Sequence, residues 1–144
     1  MPTDLKVIVP NRPGTVAGIL EVLKDAQVNV IAMCGDIRAG ERWGYLHVCI
    51  EDPEPAKQAL ESAKVEIADE HPVVIHPVEN RPGTALEIIR GYNEKGLNLE
   101  VMYTGDGGLI IGSEDMRPQQ VGVKMEDAGL KANPSPEPPT TPEA

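Results

Sequence analysis

The chain alternates short apolar runs with segments in which apolar residues recur at helical spacing. Residues 5–10 are rich in Val and Ile and stop at a Pro-Gly turn, a pattern that is typical of a β-strand. After the turn, apolar residues stand three or four positions apart, which predicts an amphipathic helix with one buried face. The residues of this apolar stripe are Val16, Ile19, Leu20, Leu23 and Ala26.

The pattern then occurs a second time, because the turn motif recurs 69 positions later. Asn-Arg-Pro-Gly-Thr stands at residues 11–15 and again at residues 80–84. At the same offset, Val-Asn-Val around Asn29 corresponds to Leu-Asn-Leu around Asn98. Identical residues at one constant spacing predict an internal duplication.

Each copy is expected to contain four strands and two helices in the order strand, helix, strand, strand, helix, strand. In the first copy we predict strands at residues 5–10, 28–37, 45–51 and 65–68, with a second helix after Asp52-Pro53. In the second copy we predict strands at residues 73–78, 97–104, 109–113 and 130–132, a first helix that ends at Gly96 and a second helix after Arg117-Pro118. This order predicts an α+β fold of two tandem ferredoxin-like βαββαβ repeats, with antiparallel sheets and the helices on one face.

The duplication also suggests the domain organisation. We expect a first repeat at residues 1–69 and a second at residues 70–132. Each repeat alone is close to the lower size limit for a stable core, so the two are expected to pack against each other. Residues 133–144 are dominated by proline and have no apolar pattern, which predicts a disordered tail.

Composition and charge narrow the classes of partner. Of the 144 residues, 40% are apolar, but there is no Phe and only one Trp, so we predict an aliphatic core. The net charge of −10 argues against nucleic acid and against an anionic membrane surface, since both require clustered Lys and Arg. No apolar run approaches the roughly 20 residues that span a bilayer. The N-terminus lacks the basic and apolar regions of a signal peptide, and we therefore expect a cytoplasmic protein.

Residues that carry catalytic or metal chemistry do not converge in the sequence. Cys34 and Cys49 lie in apolar segments without metal-ligand spacing, which predicts two buried thiols; a disulfide or a reactive thiol is the alternative. His71 and His76 share no helical face and have no cysteine partner. Cys34 and His47 form a thiol–imidazole pair only in one register of two antiparallel strands. We expect no metal, no cofactor and no enzymatic activity.

The Asn-Arg-Pro-Gly-Thr turn and the helix after it resemble the ACT domain family, whose members are regulatory modules that bind amino acids and control metabolic enzymes. The mark of the family is a strand that ends in Asn or Asp, followed by any residue, Pro or a small residue, Gly and an apolar helix. The segments around Asn29 and Asn98 resemble the second-strand entry of the acetolactate synthase small-subunit branch. The resemblance covers residues 4–132 and implies a stand-alone tandem ACT protein that acts on a partner metabolic enzyme.

The chemistry of the two turns suits a free amino acid. The start of a helix offers unpaired backbone N–H groups and a positive dipole end to a carboxylate. Glycine lets a ligand approach the backbone closely, and an Asn side chain has both donor and acceptor atoms. The alternative is that Asn caps the helix, that Pro-Gly only forms the turn, and that the arginines stay solvated. The candidate ligand-binding residues are Asn11, Arg12, Pro13, Gly14, Thr15 and Asn29 in the first copy and Asn80, Arg81, Pro82, Gly83, Thr84 and Asn98 in the second.

By the family resemblance, Asn11, Gly14 and Asn29 and their copies contact the ligand, often across an interface between two domains. Aliphatic residues near the second strands, such as Val30 and Leu99, favour a branched-chain or other small amino acid as the ligand.

Two functions remain open at this stage. One is an amino-acid-binding regulator, and the other is an adaptor without a ligand that serves oligomerisation or contact with a partner enzyme. Residues 109–111, Leu-Ile-Ile, are apolar on both faces of their strand, which predicts that both sheet faces are covered. The cover is either a second subunit, in a homodimer, or the other repeat. Because both turns are retained, ligand binding is favoured over the adaptor.

Overall fold

The computed structural model describes residues 1–117, in which seven strands and three helices follow one another in the predicted order. In chain order they are β1 (Thr3–Pro10), α1 (Thr15–Asp25), β2 (Val30–Asp36), β3 (Trp43–Ile50), α2 (Pro53–Ser62), β4 (Ile67–Pro72), β5 (Val74–His76), α3 (Thr84–Glu94), β6 (Leu99–Gly105) and β7 (Gly108–Ser113). A 3-10 turn follows at Glu114–Met116. The predicted helix after Arg117-Pro118, the strand at residues 130–132 and the tail at residues 133–144 lie outside the described residues.

The strands form two antiparallel sheets. The first sheet has the order β2-β3-β1-β4, with β1 and β3 in the centre. The second has the order β5-β7-β6, which reproduces the arrangement of the first three strands of the first repeat. Both orders are those of the split βαβ arrangement, so the prediction of tandem ferredoxin-like repeats is confirmed.

An aliphatic core fills the space between the first sheet and its two helices. Alternate residues of β1 point towards α1 and α2 because successive side chains of a strand face opposite sides. The buried cluster consists of Leu5, Val7, Val9, Ile19, Leu23, Leu46, Val48, Ile50, Ala56 and Leu60. The predicted aliphatic character of the core is therefore confirmed, and the apolar stripe of α1 contributes its two buried positions, Ile19 and Leu23.

All three helices end in the same left-handed turn. The residues with positive φ are Gln27, Lys64 and Gly96, at 58°, 60° and 71°. The N–H group of the next residue then bonds the carbonyl five positions back: Val28 to Leu23 at 2.9 Å, Val65 to Leu60 at 2.9 Å, and Leu97 to Tyr92 at 3.1 Å.

These helix ends explain why three strands begin later than predicted. The N–H groups of residues 28, 65 and 97 close a helix and are not available to a sheet. As a result β2, β4 and β6 begin two residues further on. The strand β4 also continues to Pro72, past its predicted end at residue 68.

The starts of α1 and α3 share a second feature, a glycine in the left-handed region. Gly14 has φ 88° and ψ −10°, and Gly83 has φ 89° and ψ −7°. An L-amino acid in this region brings its Cβ too close to the following carbonyl oxygen. The glycine of the repeated motif is therefore required by the backbone at both helix starts.

The two sheets pack together through the faces that carry no helices. Ala32 and Cys49 of the first sheet share a buried cluster with Val73, Val101 and Ile110. All six residues of β7 are buried, including the apolar residues 109–111. The predicted cover on the second face is therefore supplied by the other repeat of the same chain.

A buried carboxylate lies in this sheet–sheet contact. The side chain of Asp4 accepts a hydrogen bond of 2.7 Å from the Tyr103 hydroxyl of the second repeat. Its other oxygen lies 2.9 Å from Nδ1 of His47. Burial raises the pKa of Tyr103 above its usual range, and the charge and hydrogen bond of Asp4 raise it further, so the phenol remains a donor. Asp4 thus links the repeats without being left unpaired.

A second polar contact joins the repeats at His71, which is fully buried. Its Nδ1 lies 2.6 Å from the carbonyl oxygen of Pro72, and its Nε2 lies 2.6 Å from a carboxylate oxygen of Glu100 in β6. The guanidinium of Arg117 contacts both Glu100 and Asp69. Burial alone would raise the pKa of Asp69, but the hydrogen bonds and charge of Arg117, with smaller contributions from the Glu70 N–H group and His71, together outweigh burial and the pKa is lowered.

None of the helices in residues 1–117 combines the length and the apolar character needed to cross a membrane.

Substitution of Gly14, at the start of α1, and of Gly18, inside α1, is predicted to change the stability of the fold in opposite directions. Gly14→Ala is expected to destabilise the fold by about 1–2 kcal/mol, because Ala is disfavoured at a φ of 88°. Gly18→Ala is expected to stabilise it by about 0.8–1 kcal/mol, because Ala favours a helix interior more than Gly does. An added Cβ at position 18 meets no atom within 4 Å. Urea unfolding of the two variants measures both effects, and a Gly14→Ala variant as stable as the wild type would contradict the described turn.

Because β7 contacts the ring of His71, substitutions of Gly112 and His71 are expected to have coupled effects on stability. A Cβ on Gly112 would lie 2.7 Å from Nδ1 of His71, so Gly112→Ala is expected to cost about 1–3 kcal/mol. In a His71→Ala background the same substitution is expected to cost much less, because the ring is gone. Gly35→Ala is the matched control, since its nearest neighbour would be a Leu46 methyl at 4.0 Å. Additive effects in urea unfolding would refute the contact.

Candidate functional site

The two Asn-Arg-Pro-Gly-Thr turns have the same hydrogen bonds as well as the same sequence. The single O–H donor of Thr15 is shared between the carbonyl oxygens of Pro10 and Arg12, at 2.8 and 3.0 Å. The O–H donor of Thr84 is shared in the same way between the carbonyl oxygens of Glu79 and Arg81, at 2.9 and 3.2 Å. In both repeats the threonine thus holds the strand end against the helix start. The hydroxyls of Thr15 and Thr84 therefore have a structural role, and contact of these residues with a ligand stays a prediction.

The first turn of each helix leaves backbone N–H groups outside the helical ladder. In α1 the ladder begins with the bond from the Gly18 N–H group to the Gly14 carbonyl, at 2.9 Å. The N–H groups of Val16 and Ala17 precede this bond. Among residues 1–117, no side chain caps α1 or α3. An anion can therefore approach these N–H groups.

Asn11 does not serve as the helix cap that the sequence left open as an alternative. Its side-chain amide donates to the carbonyl oxygens of Arg38 and Glu41, at 3.2 and 2.8 Å. These carbonyls belong to the six-residue connection between β2 and β3. Asn11 thus ties this connection to the end of β1, and its side-chain oxygen has no donor in the described part of the chain. Asn80 is exposed, and the two-residue turn between β6 and β7 provides no comparable pair of carbonyls.

The second pair of candidate asparagines lies at the other end of the helices. Asn29 stands just before β2, whereas Asn11 stands before α1, and the 11 residues of α1 separate the two by about 16 Å of helix rise. One chain therefore does not bring Asn11 and Asn29 together. Asn98 is engaged with Glu114 through both its backbone N–H group and its side chain, at 3.1 and 3.3 Å.

A groove of about 390 Å³ opens beside the start of α1. Its floor is apolar, and its rim carries two cations and one carboxylate. The lining residues are Ile8, Pro10, Arg12, Thr15, Gly18, Ile19, Val22, Ala63, Lys64, Val65 and Glu66. Arg12 and Thr15 were candidates from the sequence. Lys64 and Glu66 were missed, because only the fold brings the connection between α2 and β4 next to α1.

A second groove of about 390 Å³ lies against α3, where His76 meets Tyr92. The Nε2 of His76 lies 2.6 Å from the Tyr92 hydroxyl oxygen. Burial lowers the pKa of His76 and raises that of Tyr92, to which the charge of Asp115 adds. None of the candidate ligand-binding residues lines this groove.

The cysteines correct one prediction. Cys49 is buried, and burial, followed by the charges of Asp4 and Glu51, raises the pKa of its thiol to about 11. Cys34 is exposed, so the prediction of two buried thiols is wrong for this residue. The reason is that, among residues 1–117, β2 is an edge strand without a neighbour on its outer side.

The register of β2 and β3 does place Cys34 opposite His47, although the ring of His47 contacts Asp4. Within residues 1–117, no three His, Cys, Asp or Glu side chains are arranged to hold a metal ion.

Solved structures with a similar fold include two groups of bacterial proteins. A protein of Bacteroides thetaiotaomicron matches with 24% identity and a TM-score of 0.67, over 79% of this chain and 80% of its own. The ligand-free regulatory subunit of aspartate kinase from Thermus thermophilus matches with 16% identity and a TM-score of 0.61, over 80% and 85%. Its counterpart from Thermus flavus matches with 14% identity and a TM-score of 0.59, over 78% and 82%. No curated protein sequence matches the chain significantly.

A family model agrees with the duplication and the fold. The model describes an ACT domain pair and matches residues 2–127, which include both Asn-Arg-Pro-Gly-Thr turns. The resemblance drawn from these turns is thereby confirmed, and the chain belongs to the family of ACT domain pairs.

Proposed function

We propose that this protein is a cytoplasmic regulatory protein, not an enzyme, that binds a free amino acid and thereby modulates a partner metabolic enzyme. The observation that carries the proposal is the repeated turn, which keeps Gly14 and Gly83 in the same left-handed conformation. A fold requirement accounts for the glycine and the threonine, and because the residue at each helix start is a glycine, no side chain caps α1 or α3 in residues 1–117. Exposed N–H groups at such a start are suited to a carboxylate.

The similar structures support the regulatory part of the proposal. Two of them are described as regulatory subunits of aspartate kinase. A regulatory subunit acts on a separate catalytic chain, and we propose a comparable relation between this protein and its partner enzyme.

A thermal-shift screen against the twenty common amino acids tests the proposal. One amino acid, or a closely related group, is expected to raise the midpoint of unfolding by several degrees at about 100 times its Kd. The expected reason is that the ligand binds the folded state and not the unfolded chain. Adenosine and guanosine nucleotides are the matched negative set. A flat profile for all twenty amino acids, from protein that unfolds cooperatively, would contradict ligand binding and favour the adaptor function.

We further propose that the protein assembles as a homodimer through the edge strands β2 and β6. These edges contact each other within the chain, so they form one continuous side of the molecule. Met33 on β2 and Met102 on β6 are equivalent in the two repeats and are exposed by 50% and 52%. A second copy offers the same two edges and the same two methionines. Pairing through these edges covers the outer sides of β2 and β6 at once.

Charged substitutions at the two methionines test the dimer. The double variant Met33→Lys/Met102→Lys is expected to sediment as a monomer where the wild-type chain sediments as a dimer, because Lys disfavours edge pairing. Leu86→Lys is the control, since Leu86 is 50% exposed on α3 and lies on neither edge. Dimers that persist in the double variant, or that dissociate in the control, would place the interface elsewhere.

A further inference from the structure

The ring of His71 faces a hydrogen-bond acceptor at each of its two nitrogen atoms. The residue is fully buried, in β4 at the contact between the two sheets. Its Nδ1 lies 2.6 Å from the carbonyl oxygen of Pro72, and its Nε2 lies 2.6 Å from Oε2 of Glu100. Neither a carbonyl nor an ionised carboxylate has a hydrogen to donate, so both hydrogens must come from the ring. Only the doubly protonated imidazole supplies two donors.

A second cation favours the ionised form of Glu100. The guanidinium of Arg117 contacts the same carboxylate oxygen that faces Nε2 of His71. An adjacent cation favours the charged form of a carboxyl group. A neutral ring would therefore place the lone pair of a bare nitrogen 2.6 Å from an oxygen lone pair. The ring is closed to solvent, so this nitrogen would lose its hydrogen bond without compensation.

The charges around the ring come from several elements and are mostly negative. The strand β1 places a carboxylate opposite His71 in the register, β4 carries a second, and β6 supplies the third. The strand β7 packs against the ring through Gly112, which has no side chain. The carboxylates outnumber the guanidinium in this part of residues 1–117, so the surroundings favour a positive ring. These charged residues are Asp4, which also contacts His47, Asp69, Glu100 and Arg117.

The pair of His71 and Glu100 joins β4 of the first sheet to β6 of the second. At the offset of 69, the counterpart of Glu100 in the first repeat is Ile31. Ile31 packs against the apolar cluster between the sheets. The fold thus accepts an apolar residue at this position of the repeat, and an apolar contact does not depend on pH. The ionic pair is therefore a particular property of the second repeat and not a requirement of the duplicated fold.

We infer that His71 is a buried imidazolium and that its proton makes the contact between the two sheets sensitive to pH. When the proton leaves, the ring keeps one donor for two acceptors. The connection between β4 and β6 then loses either its charge-assisted bond to Glu100 or the bond to Pro72. This pH sensitivity belongs to the fold and requires neither the proposed ligand nor the proposed partner enzyme.

The direction of the pH effect follows from the number of protons bound by the folded and unfolded chains. An imidazole in an unfolded chain titrates near pH 6.5. Above this pH the unfolded chain releases the proton while the folded protein keeps it. Each further pH unit is therefore expected to raise the equilibrium constant of unfolding about tenfold, until the folded ring also loses its proton. Well below pH 6.5 both states carry the proton, and His71 adds no pH dependence.

Long-range 1H–15N NMR of the full-length wild-type protein tests the protonation state directly. At about pH 7.5, one unit above the titration of an imidazole in an unfolded chain, both ring nitrogens of His71 are expected to be protonated. His76 is the internal reference, because burial lowers its pKa and its ring is expected to be neutral at the same pH. A bare ring nitrogen on His71 at this pH would overturn the inference.

Urea unfolding between about pH 6.5 and 8.5 measures the consequence for stability. His71→Gln is expected to remove the tenfold change per pH unit from the wild-type profile, because an amide does not titrate in this range. Glu100→Gln is expected to remove it as well, since the amide can donate to a bare Nε2 and so satisfies the neutral ring. The second variant keeps the test available if the first does not fold. His47→Gln is the matched control, because it removes the other imidazole at the sheet–sheet contact.

The variants also separate the two histidines of the contact. Retention of the pH dependence in His47→Gln, with its loss in the other two variants, supports the assignment to His71. An unchanged profile in His71→Gln and Glu100→Gln would overturn the inference. Loss of the pH dependence in His47→Gln alone would overturn it too, because the proton would then belong to the pair of His47 and Asp4.

Discussion

The contact between the two helix-free sheet faces is the interaction on which the rest of the molecule depends. A domain of about 60 residues buries only about 60% of the surface of its unfolded chain, so one repeat alone has a small core. The contact adds a second buried cluster that includes Cys49 and Ile110. It also satisfies the buried Asp4 through Tyr103 of the other repeat. Neither repeat can leave the contact without exposing this apolar surface and breaking the hydrogen bond between Tyr103 and the buried carboxylate of Asp4.

This arrangement also determines which parts of the two repeats stay accessible. The helices lie on the outer faces of the two sheets, and so the helix starts and their turns remain accessible after the repeats have packed together. The shared core lies between the repeats, while the turn before α1 and the connection after α2 line the groove at the surface. Rigid elements that present exposed backbone and loop residues are a common basis for binding sites.

Most of the described fold could be predicted from the sequence, because apolar periodicity and a repeated motif are local signals. The stripe from Val16 to Leu23 and the turn at Gly14 both have this character. The predictions were wrong where a residue forms hydrogen bonds with the neighbouring helix, or where the exposure of a side chain depends on the order of strands in the sheet. Val28 and Val65 resemble strand residues but close helices, and Cys34 is exposed because β2 is at an edge. Lys64 and Glu66 reach the groove only through tertiary packing, for which no short motif gives a signal.

In the sheet–sheet contact, equivalent positions of the two repeats carry different residues, which shows how the repeats have diverged since the duplication. The counterpart of Asp4 in the second repeat is Val73, and the counterpart of Tyr103 in the first is Cys34. In a symmetric pair of identical repeats, every contact between unlike residues occurs twice. A single hydrogen bond between an aspartate and a tyrosine therefore requires repeats that differ in sequence. Covalent fusion removes this symmetry, since each copy can then change independently. The contact between the repeats of the single chain is therefore asymmetric. Each repeat has the residues that pair with the other repeat, and not those that would pair with a second copy of itself.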